Sequence, residues 1–103
     1  MHAAAFTFLL LAAVPAAVAA SPDDLVRMVR QDCGSCHGMT LQGGLGTPLT
    51  PAALRDKPAE SLVATIVYGR PGTAMPAWKS ILSEADARWI VTRLMEGFPE
   101  EKR

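Results

Sequence analysis

The 103-residue sequence predicts one small all-α domain of three to five helices. Three observations carry that reading. Apolar residues recur three and four positions apart in several stretches, as on one face of a helix. Serine, proline and glycine stand where helices start and stop. No stretch alternates apolar and polar residues over the length of a strand.

The first twenty residues stand apart. From Ala3 to Ala20 there is no charged residue, and Phe6–Val14 is an apolar run broken by Pro15. Ala17-Val18-Ala19-Ala20 then offers small residues to a signal peptidase. Residues 1–20 are expected to be an export leader that is cleaved, although the segment before the apolar run carries no Lys or Arg. The competing reading is a retained anchor; the apolar stretch is near the lower limit for a span. The working domain is expected over residues 21–103, with no stable membrane insertion after cleavage.

Ser21-Pro22-Asp23-Asp24 starts a helix: Ser21 caps and Pro22 suits the first turn. Leu25, Met28 and Val29 share its apolar face, and Gly34 is expected to end it. Residues 38–49 hold four glycines and one proline with no period, and read as a loop. So long a loop in so small a domain makes sense if it wraps a bulky ligand. Thr50-Pro51 starts a short helix to about Asp56, and Pro58 starts another that stops at Gly69. Val63–Tyr68 is β-branched enough for a strand, but the Leu62/Ile66 spacing favours helix. Residues 69–78 are a second Gly- and Pro-rich loop. Ser83 opens the last helix, with Glu84 and Asp86 in its first turn and Gly97 as its stop. The tail from Glu100 is expected to be solvated and mobile.

About 83 residues build only a marginal core, which usually needs a staple. A disulfide between Cys33 and Cys36 would close a tiny loop and stabilise little. The two cysteines have another use. Cys33-Gly34-Ser35-Cys36-His37 has the Cys-x-x-Cys-His form to which heme c is attached. The spacing lets two thiols reach the two vinyl groups on one porphyrin edge, and sets His37 over one face of the ring as the proximal iron ligand. A structural zinc site needs four Cys or His ligands; residues 21–103 hold two cysteines and one histidine. A thioredoxin-like pair requires a βαβ context, which is lacking.

With no other histidine in the domain, the second axial ligand falls to a methionine. Met39 is two residues from His37 and therefore on its side of the ring. Met28 and Met95 lie at helical spacing and read as core filler. Met75, in the second loop before Pro76, can reach the opposite face and is the expected distal ligand. Thioether ligation favours ferrous iron and raises the potential. For Arg70, Tyr68 and Trp78 two readings stand: contact with the heme or its propionates, or ordinary surface and core roles. Thr73 is placed to hydrogen-bond near the methionine sulfur.

The order helix, Cys-x-x-Cys-His, Gly-x-Pro-Leu, helix, Met-Pro loop and last helix bearing Trp89 resembles the small class I cytochromes c. The resemblance implies one heme c in a class I cytochrome c fold. It implies that the Pro48 carbonyl accepts a hydrogen bond from His37, and that Leu49 packs on the heme. The family's usual glycine and aromatic in the first helix are replaced by Leu25 and Val29. More narrowly, residues 33–49 together with Gly69-Arg70-Pro71-Gly72-Thr73-Ala74-Met75-Pro76-Ala77-Trp78 resemble the NirC-type cytochromes of denitrifying bacteria, encoded beside cd1-type nitrite reductase. That implies a periplasmic electron donor to the reductase, or a factor in maturing its d1 heme. A heme enzyme with an open iron site is the third reading, and requires Met75 off the iron.

Ten basic and ten acidic residues balance. This argues against a nucleic-acid partner and against general attraction to anionic lipid. A local patch remains compatible with balance: Arg55, Lys57, Arg70 and Lys79 could ring an exposed heme edge and steer an acidic redox partner, or be scattered surface charge. A monomer is expected.

Overall fold

In the computed structural model, the residues described are Ala3–Ala5, Thr7 and 20–102. The export leader expected over residues 1–20 lies almost wholly outside them. The described residues contain helices and no strand. None of these helices is long and apolar enough to cross a membrane.

Helix α1 is Pro22–Met28, opened by Ser21, whose hydroxyl accepts the Asp24 N–H. The chain does not stop at Gly34 as expected. It passes through a π-helical turn, Val29–Cys33, into helix α2, Gly34–His37. Gly34 has ordinary helical dihedrals, and its N–H reaches the Val29 carbonyl five residues back. The extra residue in that turn shifts the register of α2 relative to α1. Val29 stays fully buried. The helix stops at Gly38 instead, at φ 94°. A side chain there is excluded twice over, because a Cβ would sit 2.5 Å from the Gly43 carbonyl oxygen.

The loop after α2 is irregular, as its glycines predict, but it is pinned. Leu41 is 3% exposed and takes φ 62°, rare for a leucine. Its burial in the core and its carbonyl's acceptance of the Leu49 N–H hold it there. Helix α3 is Pro51–Leu54, capped by Thr50, and α4 is Ala59–Tyr68, stopped at Gly69. Helix α5, Glu84–Glu96, opens with a complete capping box between Ser83 and Asp86. It ends at Gly97 with φ 112°.

Two apolar clusters hold these elements. Leu25, Val29, Leu41, Leu54, Leu82, Ile90 and Leu94 join the first helix and its continuation, the first loop, α3, the turn before α5 and α5 itself. Val63, Val67, Ala87 and Val91 join α4 to α5. Leu25 and Val29, which stand where the family carries a glycine and an aromatic, are thus core residues. Trp89 packs edge-on against Phe98, with ring centroids 6.4 Å apart.

The carboxyl-terminal tail is not loose. Arg30 donates to the Phe98 carbonyl at 2.7 Å and the Pro99 carbonyl at 3.0 Å, and its guanidinium lies over the Phe98 ring. Gln31 donates to Glu101, which also faces Arg27, and Lys102 faces Asp23. Composition signals only the polarity of these residues, not the complementary charges that α1 and its continuation present to them.

Candidate heme site

One cleft of about 700 Å³ opens between α2, both loops, α4 and α5. A volume of that order suits a cofactor. Its walls include Cys33, Cys36, His37, Leu49, Arg70, Met75 and Trp78. Residues more than forty positions apart in sequence therefore meet at one surface. Leu54, Leu62, Ile66, Ile90 and Leu94 complete an apolar wall. Leu62 and Ile66 read as a helix face from their spacing; the use of these five residues as cleft lining has no separate signal in the sequence.

Pro48 is not among the lining residues, and the hydrogen bond expected at its carbonyl goes elsewhere. His37 Nδ1 lies 2.7 Å from the carbonyl oxygen of Thr47, one residue earlier. The shift has a local cause. The Pro48 ring packs toward Gly43, 3.3 Å from where a Cβ on that glycine would stand. Proline also restricts the backbone of the residue before it. It is the Thr47 carbonyl that then faces the imidazole. Since a carbonyl only accepts, Nδ1 carries the proton and Nε2 is left with its lone pair. That is the tautomer a metal ligand needs. Gly46 presses on the other side: a Cβ there would be 2.7 Å from both His37 Nδ1 and Cε1. Only glycine allows that approach.

Met75 lies partly buried in the second loop, which folds on itself. Arg70 N–H bonds the Met75 carbonyl at 3.1 Å. The Thr73 hydroxyl donates to the Arg70 carbonyl and accepts the Met75 N–H at 3.2 Å. Thr73 therefore ties down the methionine's backbone rather than its sulfur. Trp78 is anchored through its backbone N–H to the Ile66 carbonyl. Tyr68 is away from the cleft: it is 65% exposed and borders a separate surface hollow with Glu60 and Glu84. Lys57 and Arg70 both line the cleft, whereas Arg55 and Lys79 do not.

The cysteines carry no disulfide. Burial, reinforced by the Asp32 carboxylate, pushes the Cys33 thiol up to about 11. No cluster of three or more Cys, His, Asp or Glu that could hold a bare metal ion occurs among the described residues. The donor set fits heme c: two thiols beside one histidine of the right tautomer, a thioether on the same cleft, and an apolar wall between.

A helical domain folded round such a cleft defines the class I c-type cytochromes. Comparison with known proteins agrees. The family model described as cytochrome c oxidase, cbb3-type, subunit III matches residues 20–92. Cytochrome c55X of Pseudomonas aeruginosa is 63% identical over 73 residues, covering 71% of this chain and 61% of that protein. Cytochrome c55X of Stutzerimonas stutzeri is 52% identical over 92 residues, covering 89% of this chain and 80% of that protein. The solved structure of the c-type cytochrome NirC superposes with a TM-score of 0.70 at 62% identity, covering 71% of this chain and 86% of that one. The chain belongs to the NirC-like c-type cytochromes, a family whose membership implies covalent heme c. A stretch of the much longer dihydro-heme d1 dehydrogenase of Pseudomonas aeruginosa is also similar, at 39% identity over 72% of this chain and 15% of that protein.

Proposed function

We propose that the protein is a periplasmic, exported one-electron carrier, with heme c bound through Cys33 and Cys36 and iron held between His37 and Met75. The observation that carries this reading is the meeting of these four residues in one cleft, with Nδ1 of His37 already engaged by Thr47. Bound there, the heme supplies a one-electron ferrous–ferric couple. The chain's own residues do the rest. Thr47 and Gly46 fix the imidazole plane. Thr73 and Arg70 fix the Met75 backbone. Leu49, Leu54, Leu62, Ile66, Ile90 and Leu94 line the cleft and would keep water from a heme bound there. His37 and Met75 would hold the iron from the protein's side, so that the group would serve electron transfer rather than bind a substrate.

The partner proposed is a cd1-type nitrite reductase, in denitrification. The similarity to NirC supports that assignment. Rapid mixing of reduced protein with oxidised reductase tests it; oxidation of the cytochrome matched by reduction of the reductase is expected, and no exchange overturns it. The stretch similar to dihydro-heme d1 dehydrogenase favours a second reading, a role in maturing or delivering d1 heme. A deletion strain separates the two. Reductase lacking d1 heme supports maturation; reductase with its full d1 content but slowly reduced supports donation. The enzymatic reading needs an open iron site, and Met75 lining the cleft counts against it.

A further inference from the structure

The π turn Val29–Cys33 is the piece of chain that delivers Cys33 to the cleft. Such turns are rare, occur mostly singly inside α-helices, and gather at functional sites. This one is held by the carboxyl-terminal tail. Two adjacent residues of the turn, Arg30 and Gln31, give their side chains to that tail. Arg30, its side chain only 13% exposed, donates to the Phe98 and Pro99 carbonyls and faces the Glu100 carboxylate at 3.5 Å. Gln31 donates to the Glu101 carboxylate at 2.9 Å. Within the Cys-x-x-Cys-His motif itself, the Ser35 hydroxyl donates back to the Asp32 carbonyl at 2.7 Å. The tail is the direct continuation of α5, which supplies Ile90, Val91 and Leu94 to the same cleft. Two lining elements, the turn that ends in Cys33 and helix α5, are thus tied together by residues that do not themselves line the cleft.

We propose that residues 98–101 form a positioning strap for the heme-attachment turn, anchored on Arg30 and Gln31 and governing the placement of Cys33. Hydrogen bonds from a guanidinium are charge-assisted and stronger than neutral ones, so the grip resides chiefly in Arg30. Gln31, whose bond to Glu101 is exposed, adds less. A covalent link at Cys33 passes any displacement of the turn to the group attached there. The strap therefore acts on the heme through Cys33 without touching it. The inference deepens the reading of Cys33 as a heme c attachment point and rests on it.

The test uses the holoprotein. Arg30→Met and Gln31→Ala weaken the strap; Ser83→Ala, at the other end of α5, lowers stability without touching it. Two readouts are taken: proton NMR of the heme methyl groups in the ferric state, and amide hydrogen exchange in the ferrous state. Arg30→Met is expected to move the heme methyl resonances. It should also speed exchange of the Gly34 N–H, which bonds the Val29 carbonyl, about tenfold more than that of the Val67 N–H in α4. Gln31→Ala should act in the same direction and less. Arg30→Lys, which keeps a charged donor, should recover part of the parent pattern. Where Arg30→Met does not fold, Gln31→Ala and Arg30→Lys carry the same comparison. Methyl resonances that stay in place in the strap variants, or that move as far in Ser83→Ala, would overturn the strap. So would faster exchange shared equally by Gly34 and Val67. Heme that leaves the parent polypeptide on acid–organic extraction would instead overturn the attachment reading beneath it.

Discussion

Replacing Gly46 with alanine places a methyl carbon 2.7 Å from His37 Nδ1 and Cε1 and 3.1 Å from Cγ. These separations are far inside van der Waals contact, so one partner must move. The backbone of Gly46 is not in the left-handed region, so the effect is one of volume rather than of dihedral strain. Overpacking of this kind costs about 1–3 kcal/mol. If the imidazole yields, its 2.7 Å hydrogen bond to Thr47 lengthens as well, which adds about 1 kcal/mol. A loss of about 2 kcal/mol in a domain this small lowers Tm by roughly 8–16 °C. The assay is thermal unfolding of holo Gly46→Ala, together with its ferric and ferrous spectra. A lower Tm and altered axial ligation are expected. Gly72→Ala serves as comparison: its φ is 80° and nothing lies within 4 Å of a Cβ there. That variant should lose stability through backbone strain alone, about 1–2 kcal/mol, with its heme spectrum intact. A Gly46→Ala protein as stable as the parent and spectrally identical to it would refute the steric account.

Other perturbations probe the rest of the structure. Met75→Ala should remove thioether ligation, lower the reduction potential and let ferric iron take up added imidazole, read by optical titration. Arg30→Met removes hydrogen bonds to the Phe98 and Pro99 carbonyls and should cost about 2 kcal/mol in guanidinium unfolding, with the spectrum unchanged. Ser83→Ala removes the cap of α5 and should cost about 1 kcal/mol in the same assay. Glu60 is held below its ordinary value of 4.5 by Arg88. A carboxyl depressed in the folded state stabilises at pH above its unfolded value and loses that contribution as pH falls through the folded one. Stability should therefore fall below about pH 4.5, and less steeply in Glu60→Gln, measured by melts across about pH 3–6.

Much of the fold was legible in local signals. Ser21, Thr50 and Ser83 cap where their side chains and spacing predict, and Gly69 and Gly97 stop where expected. These are short-range effects, written within a few residues. What failed was of longer range. Gly34 reads as a stop, but the π turn before it carries the chain on and leaves Gly38 to end the helix, because only Gly38 can meet Gly43 so closely. The tail reads as loose because Arg30 and Phe98 are 68 positions apart. In the site, the residue types were legible and their atoms less so. The motif names His37, but which carbonyl orients it is a matter of one residue's register, decided by the packing of Pro48 on Gly43. Thr73 was marked for its nearness to Met75, yet its hydroxyl acts on the backbone. Gly46 was marked only as the glycine of Gly-x-Pro-Leu, with no role of its own, since that role depends on the His37 ring that lies across from it.

The central claim is a covalently bound heme whose iron lies between His37 and Met75 and changes oxidation state reversibly. Optical spectra of the purified protein, taken oxidised and then reduced, before and after acid–organic extraction, test it most directly. The account predicts a methionine-to-iron band in the ferric state that disappears on reduction, a sharp ferrous spectrum, and a heme that stays with the polypeptide through extraction. A heme that is extracted, a ferric spectrum without the methionine band, or a spectrum indifferent to reductant would contradict it.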